Sequence, residues 1–235
     1  MSGRLIVVAD ARALARRAAE RIVELTRAAV AQRGSCSVAL AGGSTPRATY
    51  EVLASSALAA ALPWPAIAWY FGDERAVPPD HPESNYRAAS ETLFAGRPTL
   101  LPSLHPMRAD ARDLAAAARE YAAGLPDPID LLLLGIGEDG HTASLFPGSS
   151  ALAERAVRVV VVSGPKPPNP RMTVTPQVIE RAREVLVLAS GAGKADAVAR
   201  ALEGPSDPDA VPAQIARAGT WIVDRAAARL LASAS

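Results

Sequence analysis

Apolar and polar positions follow two rhythms along the chain. Short apolar runs predict strands, and longer stretches with an apolar residue every three or four positions predict amphipathic helices. Arg4 to Ala9 reads as a strand, and Asp10 as the cap of a long helix that Gly34 ends. Ser37 to Ala41 is the next strand, after which Pro46 stands where a helix accepts proline, in its first turn. Ile67 to Phe71 predicts a third strand, followed by the polar loop GDERAVPPDHPESNY and a short helix through Phe94. An alanine-rich helix is expected between Asp110 and Gly124, leading into the leucine run of IDLLLLG. Strands follow at Val157 to Val162 and Glu184 to Ala189, then a helix from Lys194 to Leu202 and a last strand at Thr220 to Val223.

Strand and helix alternating from end to end predict an α/β fold, a mostly parallel sheet with helices on both faces. Four consecutive leucines bounded by turn residues read as a strand buried on both faces, in the middle of such a sheet. There is no internal repeat and no heptad run. The loop SGPKPPNP is too short to separate domains, so residues 1–235 are expected to form a single domain.

Composition narrows the function more than the fold. A net charge of +1 offers no bulk attraction to nucleic acid or to a membrane surface. No apolar run approaches membrane-spanning length, and the opening RLIVVAD is too short for a signal peptide. The single Cys36 excludes an internal disulfide and suits a reducing compartment, so a cytoplasmic protein is expected. Cys36 precedes an apolar strand and reads as a buried structural thiol.

Chemistry collects in four polar clusters, each expected near a strand end, where ligands of parallel sheets bind. The first, Gly42-Gly43-Ser44-Thr45, lies between a strand and a helix N-terminus, where free N–H groups and hydroxyls can hold an anion. The competing expectation is that Ser44 or Thr45 merely caps the helix. The second cluster brings Asp73, Glu74 and Arg75 after the third strand. The third, GIGEDGH, carries Asp139 and His141; histidine changes charge near neutral pH, and an acid two residues away can orient it. The fourth supplies cations, Arg171 in NPRMTVTP and Lys194 in SGAGKADAV, suited to a phosphate.

Several chemistries are argued against. GIGEDG matches G-x-G-x-x-G, but Pro147-Gly148 interrupts the helix that a dinucleotide site needs, and Glu138 and Asp139 would face the pyrophosphate. The ribose-binding acid expected about 20 residues further on is also missing. No P-loop spacing, G-x-S-x-G elbow or H-E-x-x-H motif occurs, and His81, His105 and His141 are the only histidines, so no metal site is expected. A phosphate-anchored small substrate beside a His/Asp pair remains.

The segments LAGGSTPRATYEVL, FGDERAVPPDHPESNYR, DLLLLGIGEDGHTASLFPG, NPRMTVTP and GKADAV, in this order over nearly the whole chain, resemble the motifs of 6-phosphogluconolactonases. These enzymes hydrolyse 6-phospho-D-glucono-1,5-lactone in the oxidative pentose phosphate pathway. The resemblance implies a Rossmann-like fold shared with glucosamine-6-phosphate deaminases and ribose-5-phosphate isomerases, and catalysis without a required cofactor. It implies that His141, with Asp139, activates the hydrolytic water. Arg75, Arg171 and Lys194 would then surround the phosphate and the developing oxyanion, while Gly43, Ser44, Thr45 and Asp73 line the sugar-phosphate site. A small-molecule lactone is the expected partner of a monomeric enzyme.

Two alternatives are weighed against it. Deaminases resemble this chain at the D-G-H turn, but theirs looks to be followed by an acid for proton relay where this chain has Phe146. A non-catalytic sugar-phosphate sensor would be expected to carry a DNA-binding segment, for which the chain before Arg4 and after Val223 leaves no room.

Overall fold

The nine strands of the computed structural model, which describes residues 3–232, divide between two sheets. The strands are β1 (Arg4–Val8), β2 (Cys36–Leu40), β3 (Ile67–Phe71), β4 (Asp73–Arg75), β5 (Leu131–Gly135), β6 (Val159–Val162), β7 (Arg171–Val174), β8 (Glu184–Ala189) and β9 (Thr220–Asp224). Six form a wholly parallel sheet in the order β1-β9-β8-β5-β2-β3. The other three, β4-β7-β6, form a small antiparallel sheet.

The leucine run takes the place its pattern predicts. β5 lies between β8 and β2, and Leu131 to Leu134 are each at most 1% exposed. Since successive strand residues point to opposite faces, four buried in a row require cover on both. Cover comes from α1 (Ala11–Arg33), α2 (Ser44–Leu53), α3 (Ser56–Ala61), α4 (Asn85–Glu91), α5 (Leu114–Gly124), α6 (Pro176–Arg181), α7 (Ala195–Leu202) and α8 (Arg225–Ala228) with the loops between them. α1 has the ends expected of it: the Asp10 carboxylate accepts the Ala13 N–H at 2.8 Å, and Gly34 ends the helix in the left-handed region at φ +78°.

Strand order reverses direction between β2 and β5. From β2 the chain proceeds outward to β3, whereas β5, β8 and β9 lie successively on the other side. Loops leaving the two central strands therefore part at their C-terminal ends and leave a crevice, the usual ligand position in open α/β sheets.

Three expectations need correcting. Val157 to Val162, read as one more strand of the parallel alternation, contributes β6 to the antiparallel sheet instead. Asp73 to Arg75, read as part of a polar loop, and Arg171 to Val174, assigned to no element, are paired strands. Segments of three or four residues carry almost no periodicity, and the partner of β4 lies 96 or more positions away. The alanine-rich helix starts at Leu114, where the Asp113 carboxylate accepts the Ala116 N–H at 2.9 Å. The short helices α3, α6 and α8, of four to six residues, add to the predicted elements.

Candidate active site

Beyond the crevice the loops after β2, β3, β5 and β8 enclose a cavity of about 190 Å³. That is below the roughly 300–1,000 Å³ that holds drug-sized ligands, so it suits a small molecule. Its charged or titratable lining groups are Asp73, Arg75, His141, Arg171 and Lys194, three basic side chains against one carboxyl group. Gly43, Ser44 and Thr45 line it as well.

The GIGEDGH turn is built around its histidine. Gly137 N–H donates to the His141 carbonyl at 2.8 Å, Gly140 N–H donates to the Gly137 carbonyl at 3.1 Å, and Gly140 takes φ +90°. A β-carbon on Gly137 would fall 2.0 Å from His141 Nδ1 and 2.4 Å from Asp139 Oδ1, so glycine there is a steric condition of the pair. Asp139 Oδ1 accepts the His141 backbone N–H at 3.1 Å and lies 2.6 Å from His141 Nδ1. Burial acts to raise the Asp139 carboxyl, but the His141 N–H and imidazole outweigh it and hold the group below the usual aspartate value. An ionised Asp139 requires the proton on Nδ1. Nε2 has no partner among the described residues, and in a neutral ring protonated on Nδ1 it carries the lone pair. Asp139 itself stands behind the imidazole, outside the cavity lining.

β4 sorts the DER triplet by strand alternation. Asp73 and Arg75 face the cavity, whereas Glu74 points the other way and is 3% exposed. Glu74 accepts the N–H groups of Arg75, Asn85 and Tyr86 at 2.8–2.9 Å and the Ser84 hydroxyl at 3.1 Å. It fastens the start of α4 to β4 and has no contact with the site. Burial pushes its carboxyl above the usual glutamate value, against those backbone N–H bonds.

Asp73 is held in place by residues that the sequence reading passed over. Ser144 Oγ donates to Asp73 Oδ2 at 2.6 Å, and Asn85 Nδ2 donates to Oδ1 at 3.2 Å and to the Asp73 carbonyl at 2.8 Å. Ser144 N–H in turn donates to Thr173 Oγ1 at 3.1 Å, tying the histidine turn to β7. Between His141 and Ser144, Ala143 lines the cavity at φ +48°, the one non-glycine residue with positive φ among the described residues. Only the position of Ser144 shortly after the histidine hinted at such a role.

The cations are fixed to different degrees. Arg75 NH1 donates to the Glu83 carbonyl and lies 3.5 Å from its carboxylate, while the buried Arg75 Nε meets no acceptor among the described residues. Arg171 is 9% exposed, donates from Nε to the Pro168 carbonyl at 3.1 Å and from NH2 to the Lys166 carbonyl at 3.3 Å, and lies over Phe146. Burial and then the charge of Arg75 push its guanidinium pKa down. Lys194 ends a 3-10 turn (Ala192–Lys194) that runs into α7. The Asp224 carboxylate steadies this turn, accepting the Ser190 hydroxyl at 2.5 Å and the Gly191 N–H at 3.0 Å. At the opposite wall, α2 is capped by Gly43 with no side-chain hydrogen bond. Neither Ser44 nor Thr45 acts as the cap, and the first turn of α2, Ser44 to Pro46, lines the cavity at the helix end that carries a partial positive charge.

Comparison with known proteins matches this arrangement to one family. The model of the glucosamine-6-phosphate isomerases/6-phosphogluconolactonase family matches residues 9–223. The chain belongs to this family. Among its relatives, the 6-phosphogluconolactonase of Mycobacterium tuberculosis is 41% identical over 99% of this chain and 100% of its own length. The human 6-phosphogluconolactonase is 39% identical over 86% of each. The solved 6-phosphogluconolactonase of Trypanosoma brucei superposes with a TM-score of 0.83 at 34% identity, covering 98% of this chain and 99% of that one. A monomeric glucosamine-6-phosphate deaminase superposes with a TM-score of 0.81 at 26% identity, covering 97% and 99%. Both branches of the family thus share the architecture, and the site must distinguish them.

Proposed function

We propose that this protein hydrolyses 6-phosphoglucono-δ-lactone to 6-phosphogluconate, in the oxidative pentose phosphate pathway. The observation that carries the reading is the 2.6 Å Asp139–His141 pair presenting Nε2 beside a cavity with three cations, in a chain 41% identical to a 6-phosphogluconolactonase.

A δ-lactone is an activated ester, so hydrolysis needs a base and a place for negative charge, without a covalent nucleophile. Water held at His141 Nε2 attacks the lactone carbonyl carbon as its proton passes to Nε2, and Asp139 stabilises the imidazolium. The carbonyl oxygen becomes an oxyanion in the field of the cationic lining. Collapse breaks the bond from the carbonyl carbon to the ring oxygen, which takes the proton back from Nε2. A carboxylic acid and a free hydroxyl are left with His141 neutral again, and the acid then loses its proton to solvent to become the carboxylate. The phosphate, remote from the reacting carbon, holds the ring in register through Arg75, Arg171, Lys194 and the N-terminus of α2. Asp73, immobilised by Ser144 and Asn85, accepts a sugar hydroxyl in this reading.

Phe146 favours this reading over amino-sugar deamination. It packs against the His141 ring at 4.9 Å, and a hydrocarbon ring there relays no proton. Among the described residues no three His, Cys, Asp or Glu side chains gather to hold a metal ion, and no helix is long and apolar enough to cross a membrane. The reading includes a single domain acting as a cytoplasmic monomer. The test is lactone hydrolysis by the purified protein, followed as acid release above the spontaneous rate. Turnover of glucosamine 6-phosphate with no acceleration of lactone opening would overturn it.

A further inference from the structure

Phe146 joins three parts of the chain that are far apart in sequence. Its ring is 4.9 Å from the His141 ring at 47°, and the Arg171 guanidinium carbon lies 5.5 Å from its centroid. On another side it meets Gly164, where an added β-carbon would fall 2.6 Å from ring atoms Cε2 and Cζ. Gly164 is itself pinned: its N–H donates to Asn169 Oδ1 at 2.7 Å and its carbonyl accepts from Asn169 Nδ2 at 2.9 Å. The same proline-rich loop supplies the two carbonyls, Pro168 and Lys166, that hold Arg171. Phe146 is 6% exposed, so its ring is held on all sides.

We propose that the Phe146 ring, seated on Gly164, is a positioning element that sets the spacing between the His141 imidazole and the Arg171 guanidinium. This rests on the lactonase reading, in which His141 serves the reacting carbon and Arg171 the phosphate. An aromatic ring is flat and has no internal rotor, so it transmits a displacement instead of absorbing it. Its face also attracts the guanidinium, which a leucine of smaller volume cannot do. The proline loop thereby becomes part of the active site's geometry without touching substrate. Gly164 has glycine for a packing reason, since its φ is not positive.

The experiment is a double-mutant cycle with Phe146→Leu and Gly164→Ala. Gly164→Ala keeps the ring and displaces it, while Phe146→Leu removes it; each should lower kcat/KM for the phosphorylated lactone by about tenfold to hundredfold, the cost of misplacing reacting groups by about 1 Å. Gly164→Ala should do little more in the Phe146→Leu background, since the ring it displaces is gone. Affinity for 6-phosphogluconate, read by calorimetry, should fall in both single variants, which tests the Arg171 side without turnover. Strictly additive effects, or single variants within about threefold of wild type in both kcat/KM and affinity, would overturn the proposal. So would a lowered melting temperature with kcat/KM per folded molecule unchanged, the signature of a purely structural ring. If Phe146→Leu does not fold, Gly164→Ala decides by the same two readings. Absence of wild-type lactone turnover counts against the lactonase reading, and the affinity measurement still judges the spacing.

Discussion

Arg75 and Arg171 stand directly opposite each other in the register of β4 and β7. Like charges in that position repel. The protein tolerates them by tying Arg75 to Glu83 and Arg171 to the carbonyls of Pro168 and Lys166. An anion held between the two guanidiniums would turn the repulsion into attraction.

Binding energy of that kind appears as stability. With 6-phosphogluconate at about a hundred times its Kd, the folded state should gain about 2.7 kcal/mol, or roughly 5–10 °C in Tm for a chain of this size. Gluconate without phosphate should give far less, and equal shifts from both in a thermal melt would count against an anion clamp.

Loss of one clamp member should be felt chiefly by the phosphorylated substrate. Arg171→Ala or Lys194→Ala is expected to cost about 1.5–3 kcal/mol, roughly one to two decades in kcat/KM. Unphosphorylated gluconolactone should already be a poor substrate for wild type. Comparable turnover of the two lactones would contradict the role given to the cations.

His141→Asn should fold and bind 6-phosphogluconate, yet lose roughly 10²–10⁴ in turnover. Wild-type kcat should fall in acid, where a general base is blocked by its own proton, and the variant should lack that limb. The lowered pKa of Asp139 keeps it ionised there, so it does not generate the limb. Neither rate should respond to a chelator. The spontaneous opening of the lactone has to be subtracted at each pH.

Glu74 should matter to folding instead. Glu74→Ala leaves three backbone N–H groups and a hydroxyl without their acceptor. Buried donors left unpaired cost about 1–3 kcal/mol each, and a total of about 2–4 kcal/mol is expected if water reaches some of them. Denaturant unfolding measures it; the folded variant should retain most of its kcat.

Asp224 links stability to pH. Burial raises its carboxyl, but the Ser190 hydroxyl and the N–H groups of Ala227 and Gly191 lower it more, leaving it below the ordinary 3.8. A depressed carboxylate contributes stability that is present above its ordinary value and is lost as pH falls through the folded-state value. Asp224→Asn should therefore melt below wild type at neutral pH, and the gap should close progressively below about pH 4. A gap that stays constant down to the acid transition would show that charge is not the source.

The sequence by itself determined the parts that local pattern can specify. Four leucines in a row demand a strand covered on both faces, Asp10 and Gly34 mark the ends of a long helix, and a glycine-rich turn after the leucines can hold His141 against Asp139 only because Gly137 has no side chain. Spacing also brought the candidate site residues to strand ends, where a parallel sheet places its ligands. Tertiary structure alone decided how those pieces face one another. It paired Asp73–Arg75 with Arg171–Thr173, and alternation in a strand too short to show periodicity then turned Arg75 toward the cavity and Glu74 away from it. It also brought Ser144 to Asp73 across 71 positions and set Phe146 between His141, Arg171 and Gly164. Periodicity reports which side of an element is apolar, whereas such contacts arise from the packing of several elements at once, which no window along the chain contains.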